Sequence, residues 1–215
     1  MLHTQHRSDP SPETVFIVDD DEAVRDSLQW LLETEGYQVK CFEDPKRFLE
    51  QLQWPQTCVL LLDIRMPKLS GLEVQKILNH RDIPIPTIFI TGHGDVSLAV
   101  ETMKNGAVDF LEKPFDELKI KSLINQHMLL AREVAESYRL DECINKLFAK
   151  LTTRELQVLE RIVSGRLNKQ IADDLNISIK TVEAHRANIM DKLEVTTVAD
   201  LLKLALRKAS EINPN

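Results

Sequence analysis

The sequence predicts an α/β fold, a doubly wound five-stranded parallel sheet, joined to a small all-α unit. Three observations predict it. The run Cys58-Val59-Leu60-Leu61-Leu62-Asp63 is continuously apolar and ends in an acid, between the turn signals Trp54-Pro55-Gln56-Thr57 and Met66-Pro67-Lys68-Leu69-Ser70-Gly71. Such a run reads as a strand buried on both faces, as in the middle of a parallel sheet. Similar runs alternate with helical patterns on either side of it, which is the order of a parallel α/β domain. After Leu151 no strand-like run occurs at all.

Taken in order, Thr14 to Val18 is a β-branched run followed at once by Asp19-Asp20-Asp21-Glu22. Ala23 to Glu35 places Val24, Leu28, Leu31 and Leu32 at helical spacing, and Gly36 is a suitable terminator. Tyr37 to Phe42 reads as a strand and Pro45 to Leu52 as a short helix. The central strand Cys58–Asp63 follows, then a helix from Gly71 to Leu78. Pro86 to Thr91 is a strand ending in a hydroxyl, and Asp95 can cap a helix that runs to Lys104 and stops at Asn105-Gly106. Val108 to Leu111 is the last strand, with Lys113-Pro114 behind it. Phe115 to about Ser137 is a long helix. These five βα units occupy residues 14–130, the size of a flavodoxin-like domain. No GxGxxG or GxxxxGK[ST] follows the first strand, which removes the main support for a nucleotide-binding reading.

Residues 1–13 read as a loose polar tail, neither signal nor transit peptide, and 131–150 as a charged helical linker. In residues 151–210, Thr152 or Thr153 caps a helix, with Glu155 placed for a capping box. Leu156, Val158, Leu159, Ile162 and Val163 supply its apolar positions, and Gly165 ends it. Asn168 to Leu175 is a short helix, Asn176-Ile177-Ser178 a tight turn, Ile179 to Leu193 a second helix and Thr197 to Leu206 a last one. Four helices of this length can close one small core.

Composition narrows the function classes. The chain of 215 residues is 43% hydrophobic and 28% charged, and no apolar run nears the roughly 20 residues of a membrane helix. Cys41, Cys58 and Cys143 are widely spaced and odd in number. That argues against a disulfide framework or a zinc site and fits a cytoplasmic location. The net charge of −7 is unevenly spread: Lys150 to Asn215 has 11 basic and 9 acidic residues, leaving 16 against 25 elsewhere. Only the C-terminal part is suited to a phosphate backbone.

Acids end the first strand (Asp19, Asp20) and the third (Asp63), and these strands neighbour each other in the order 2-1-3-4-5, at the switch point where such folds place their sites. Three carboxylates there need a cation, and oxygen ligands with room for water suit Mg²⁺. Thr91 and Lys113 end the fourth and fifth strands on the same edge. A hydroxyl, an ammonium and a divalent cation around one carboxylate form a phosphoryl cradle, with Asp63 as candidate nucleophile.

With these residues in place, 14 to about 130 resembles a response-regulator receiver domain. Asp19-Asp20, Asp63, Thr91 and Lys113-Pro114 match its five-point pattern. Ile90 to Val96 and Gly106 to Phe115 are especially similar to the FixJ subgroup. The resemblance implies a sensor histidine kinase as phosphoryl donor. It implies Mg²⁺ held by Asp20, Asp63 and the Arg65 backbone carbonyl, with Asp19 acting through water. It also implies Thr91 as the switch hydroxyl and Phe110 as the coupled aromatic. The enzymatic alternative is a haloacid-dehalogenase-type phosphatase, which carries a second acid two residues beyond its nucleophile. Here that position is Arg65, which cannot act as a general acid at ordinary pH.

A short helix, a tight turn and a second helix make a helix-turn-helix. Lys169, Lys180, Arg186 and Lys192 lie on or beside the two helices, with Thr181, Glu183 and Asn188 among the polar positions of the second. Such groups contact phosphates, and Arg and Asn can read guanine and adenine. Residues 151–207 resemble the LuxR-type, or NarL/FixJ, DNA-binding domain through Leu151 to Glu155, Gly165, Asn168 to Ala172 and Thr181 to His185. The resemblance makes Ile179 to Leu193 the recognition helix, Glu155 structural and His185 part of the core.

The expected protein is thus a double-stranded-DNA-binding transcription regulator switched by phosphorylation of Asp63, not an enzyme. A signalling adaptor whose helical domain binds protein is the alternative. Val96, Val100 and Met103, beside Lys104 and Asp109, form the expected face of a phosphorylation-dependent homodimer. RNA polymerase is a candidate further partner, and no membrane is involved.

Overall fold

The computed structural model describes residues 12–92, 103–104 and 106–212. It divides into two compact units that meet between Ser137 and Tyr138.

The first unit is built on a sheet of β1 (Thr14–Val18), β2 (Gln38–Phe42), β3 (Cys58–Asp63), β4 (Thr87–Thr91) and β5 (Asp109–Glu112). The strands are parallel in the order β2-β1-β3-β4-β5. Helices α1 (Glu22–Thr34), α2 (Pro45–Gln51) and α3 (Gly71–His80) connect them, and α4 (Glu117–Phe148) follows β5. Because side chains alternate across a strand, the central strands feed two cores. Val15, Ile17, Val59, Leu61, Ile88 and Ile90 pack with Leu28 and Leu32 of α1 and Ile120, Ile124 and Met128 of α4. Phe16, Val18, Leu60, Leu62 and Phe89 pack on the other face with Phe48 of α2 and Val74 and Leu78 of α3. Burial on both faces explains why β1, β3 and β4 read as unbroken apolar runs.

Val18 pairs with Leu62, so Asp19 and Asp63 leave the sheet side by side, and Thr91 pairs with Glu112, one residue before Lys113. The topology thus collects these side chains at one edge. Gly36 ends α1 with φ of 91°, a backbone conformation that favours glycine.

The helix expected to end near Ser137 and the expected helical linker are one continuous 32-residue helix, α4, with no Gly or Pro to interrupt it; Ala131, Ala135 and Ile144 are buried along it. Of the helix expected from Asp95 to Lys104, Met103 and Lys104 are described and are helical, while the expected interface residues Val96 and Val100 lie outside the described residues.

The second unit contains α5 (Thr153–Val163), α6 (Asn168–Leu175), α7 (Ile179–Lys192) and α8 (Val198–Ile212). Their core holds Val158, Leu159, Ile162, Ile171, Leu175, Val182, Ile189, Leu193 and Leu201. Asn176 makes the turn between α6 and α7 at φ of 51°. The Ser178 hydroxyl then caps α7 by accepting from the Thr181 amide. The last helix runs past the expected Leu206. No helix among the described residues is long and apolar enough to cross a membrane.

Candidate functional site

At the carboxyl edge of the sheet, Lys113 bridges two acids. Its Nζ donates to Asp19 Oδ2 at 2.8 Å and to Asp63 Oδ1 at 2.9 Å. Asp19 is fully buried, Asp63 and Thr91 are nearly so, and Asp20 is exposed. Burial pushes the Asp19 carboxyl above the usual carboxylate range, although the Lys113 hydrogen bond opposes the shift. Burial also opposes the charge on Lys113, but its hydrogen bonds and charge interactions with Asp19 and Asp63 win, and its pKa is raised. The site therefore sets one ammonium between two carboxyl groups.

Local folding sets each group. The Asp21 amide donates to Asp19 Oδ1 at 2.9 Å, and the Ala23 amide to Asp21 Oδ1 at 2.9 Å, so the Asp21 carboxylate caps α1. Asp63 Oδ2 accepts from the Arg65 amide at 2.6 Å. Behind it the Gly71 amide donates to the Ile64 carbonyl, bringing α3 so close that a Cβ on Gly71 would stand 2.3 Å from the Asp63 carbonyl oxygen. The Thr91 hydroxyl donates to the Gly92 carbonyl at 3.1 Å. Phe110, the expected coupled aromatic, is 40% exposed on β5.

The oxygen donors expected to hold a metal agree in chemistry with a hard divalent cation. As placed, however, no three His, Cys, Asp or Glu side chains among the described residues stand together for one. Lys113 occupies the space between Asp19 and Asp63.

Of the expected interface residues, Met103 and Lys104 are exposed. Asp109 is half-buried, with Oδ2 3.5 Å from Nε2 of the buried His127 and Oδ1 accepting from the Phe110 amide. This His127 contact is not legible in the sequence, because the two residues meet only when α4 packs on β5.

In the helical unit, Lys169, Lys180, Thr181, Glu183 and Asn188 are exposed and Arg186 is half-buried. His185, expected in the core, is half-buried. Lys192, expected among the DNA contacts, instead donates to both oxygens of buried Glu155 at 3.0 and 2.7 Å. Glu155 also completes the capping box with Thr152. The hydrogen bonds from Lys192 and the Thr152 amide pull the Glu155 pKa down to about 2. Arg154, beside it, donates to the Leu175 carbonyl at 2.6 Å. The start of α5 thus holds the ends of both α6 and α7. The capping-box spacing was legible; the pairing of Glu155 with a lysine 37 residues away was not.

Residues 15–125 match the family "Response regulator receiver domain", and residues 149–205 match "Bacterial regulatory proteins, luxR family". The transcriptional regulatory protein FixJ of Bradyrhizobium diazoefficiens is 41% identical over 90% of this chain and 94% of its own. The response regulator protein TmoT of Ectopseudomonas mendocina is 41% identical over 96% of this chain and 93% of its own. Among solved structures, the response regulator StyR superposes with a TM-score of 0.79 at 42% identity, covering 92% of this chain and all of StyR. Full-length FixJ from B. japonicum gives 0.55 at 40% identity over 91% of this chain and 97% of its own.

Proposed function

Because this chain belongs to the response regulators of two-component systems, with a receiver domain followed by a LuxR-type DNA-binding domain, we propose that Asp63 is its phospho-acceptor and the switch of its DNA binding. The observation that carries this reading is Lys113, whose ammonium bridges Asp63 and Asp19 at the ends of adjacent strands. A sensor histidine kinase is the donor. One Asp63 carboxylate oxygen forms the new bond to phosphorus as the phosphorus–nitrogen bond to the kinase histidine breaks, leaving an acyl phosphate. The protein accepts the group and, beyond slow self-dephosphorylation, turns over no substrate.

Lys113 is placed to offset charge on the incoming group, and the Arg65 amide holds the other Asp63 oxygen in orientation. Asp19, Asp20, Asp63 and the Arg65 carbonyl are the groups that would hold Mg²⁺. When bound, it supplies the charge neutralisation that phosphoryl transfer needs. Thr91 then moves from the Gly92 carbonyl toward the phosphoryl oxygens, and Phe110 turns inward into the space it leaves. This biases an existing two-state packing equilibrium.

The reshaped face includes Met103, Lys104 and Asp109, and pairs two copies about a two-fold axis. Pairing sets two DNA-binding domains on one operator, at an effective concentration of about a millimolar. Residues 14–130 form the receiver, 131–150 the connector and 151–210 the DNA-binding domain, in a cytoplasmic protein that contacts RNA polymerase once on DNA. In that domain, Arg186 and Asn188 read bases while Lys169 and Lys180 meet phosphates.

The test is labelling with acetyl phosphate and Mg²⁺. Wild type should take up a base-labile label and Asp63→Asn none. Undiminished labelling of the variant removes Asp63 as acceptor.

A further inference from the structure

We infer that Arg25 is a positioning residue for the divalent-cation site, fixing the backbone from which Asp19 and Asp20 project. The inference rests on the reading of Asp19, Asp20 and Asp63 as the cation's ligands. Arg25 lies on the second turn of α1, and its Nη1 donates to the Asp19 carbonyl oxygen at 2.8 Å. That carbonyl belongs to the peptide unit joining Asp19 to Asp20. Since a peptide unit is planar, holding its oxygen fixes ψ of Asp19 and φ of Asp20 together. The first sets the direction in which the chain leaves β1. The second sets where the exposed Asp20 carboxylate points.

The other bonds in this loop do not do this. The Asp19 amide donates to the Phe42 carbonyl, which anchors the strand end before the turn. The Asp21 amide to Asp19 Oδ1 and the Ala23 amide to Asp21 Oδ1 secure the far side of the loop. Among the described residues, the hydrogen bond to the carbonyl between Asp19 and Asp20 comes from Arg25. Its donor is held in place twice over: the Arg25 amide donates to the Asp21 carbonyl at 3.1 Å as part of α1, and its side chain is half-buried. Asp20, by contrast, is exposed, and no side-chain hydrogen bond orients its carboxylate among the described residues. Pre-ordering it removes an entropic cost that a cation would otherwise meet on binding. Groups that orient metal ligands from behind typically change affinity by about 10- to 100-fold when removed.

The sign of the effect separates this role from plain electrostatics. Arg25 is a cation near the acids, so deleting its charge should, by Coulomb's law alone, strengthen Mg²⁺ binding. Loss of positioning should weaken it. The experiment is calorimetric titration of the full-length protein with MgCl₂, for wild type, Arg25→Met, Arg25→Lys and Asp20→Asn, each first checked by thermal unfolding in metal-free buffer. A Kd raised about 10-fold in Arg25→Met and partly restored in Arg25→Lys supports the inference. Labelling by acetyl phosphate should then be slowed at low Mg²⁺ and recover at saturating Mg²⁺. An unchanged or lowered Kd in Arg25→Met overturns it. If Arg25→Met does not fold, Arg25→Gln is titrated in its place under the same criterion. A wild type that binds no Mg²⁺, or an Asp20→Asn variant that binds it as well as wild type, overturns the ligand reading instead, and the inference with it.

Discussion

Lys113 Nζ lies 2.9 Å from Asp63 Oδ1, although the two residues are 50 positions apart, and the same ammonium reaches Asp19 at 2.8 Å. In the absence of another cation it is what makes two neighbouring carboxylates compatible. Lys113→Met should therefore destabilise the metal-free protein by about 1.5–3 kcal/mol, the range for hydrogen bonds to charged groups. Thermal unfolding with and without MgCl₂ checks this, and Mg²⁺ should raise Tm more in the variant than in wild type. The pH dependence has a definite sign. The folded pKa of Lys113 is raised above 10.5, so its contribution is fully present below that value and is lost as pH rises through the raised one. On the alkaline side, the two proteins should converge in that range.

Gly71→Ala should disturb Asp63 without altering any charge. A Cβ there meets the Asp63 carbonyl oxygen at 2.3 Å and the Phe89 ring at 3.1 Å, so backbone has to move. Overpacking of this kind costs about 1–3 kcal/mol, and labelling of Asp63 should slow as well. Gly92→Ala is the control for stability, since a Cβ there meets nothing within 4 Å among the described residues. Denaturant midpoints and labelling rates for both variants are the measurement.

The Glu155–Lys192 pair predicts an acid limit for the helical unit. Glu155 is held at a pKa of about 2 against an ordinary 4.5, so its contribution is fully present above 4.5 and is lost as pH falls from there toward 2. Hydrogen exchange of the α5 and α7 amides should show this loss in wild type. In Glu155→Gln, protection should be lower at neutral pH by about 1–3 kcal/mol and nearly flat across the acid window. A wild-type protection that does not fall below pH 4.5 would contradict the pairing.

On DNA, the exposed and the committed cations should separate. Lys169→Ala or Lys180→Ala should weaken binding to all sequences alike and lower the salt slope by about 1. Arg186→Ala or Asn188→Ala should cost about 1–3 kcal/mol and relax preference at one base position. Lys192→Met should lower stability more than it lowers the salt slope, because its ammonium is held by Glu155. Binding isotherms at several salt concentrations, beside unfolding curves, distinguish the three classes.

By itself the sequence determined the elements and the residues at their ends. The unbroken run Cys58–Asp63, six residues between turn signals, reads as a strand covered on both faces. The acids after β1 and β3, the hydroxyl after β4 and the lysine after β5 could be placed on one edge by topology alone, because parallel strands all deliver their last residues to the same side. Thr152 and Glu155 could be read as a cap because that bond spans three residues. Tertiary structure alone decided the partners. That Arg25 turns back onto the Asp19 carbonyl depends on how α1 leaves β1. Lys192 pairs with Glu155 because α5 and α7 share a core, and His127 faces Asp109 because α4 packs on the sheet. Local pattern carries periodicity and caps, which act over one helical turn. It carries no information on which distant charge burial will bring within 3 Å of another, and that is settled only when the cores close.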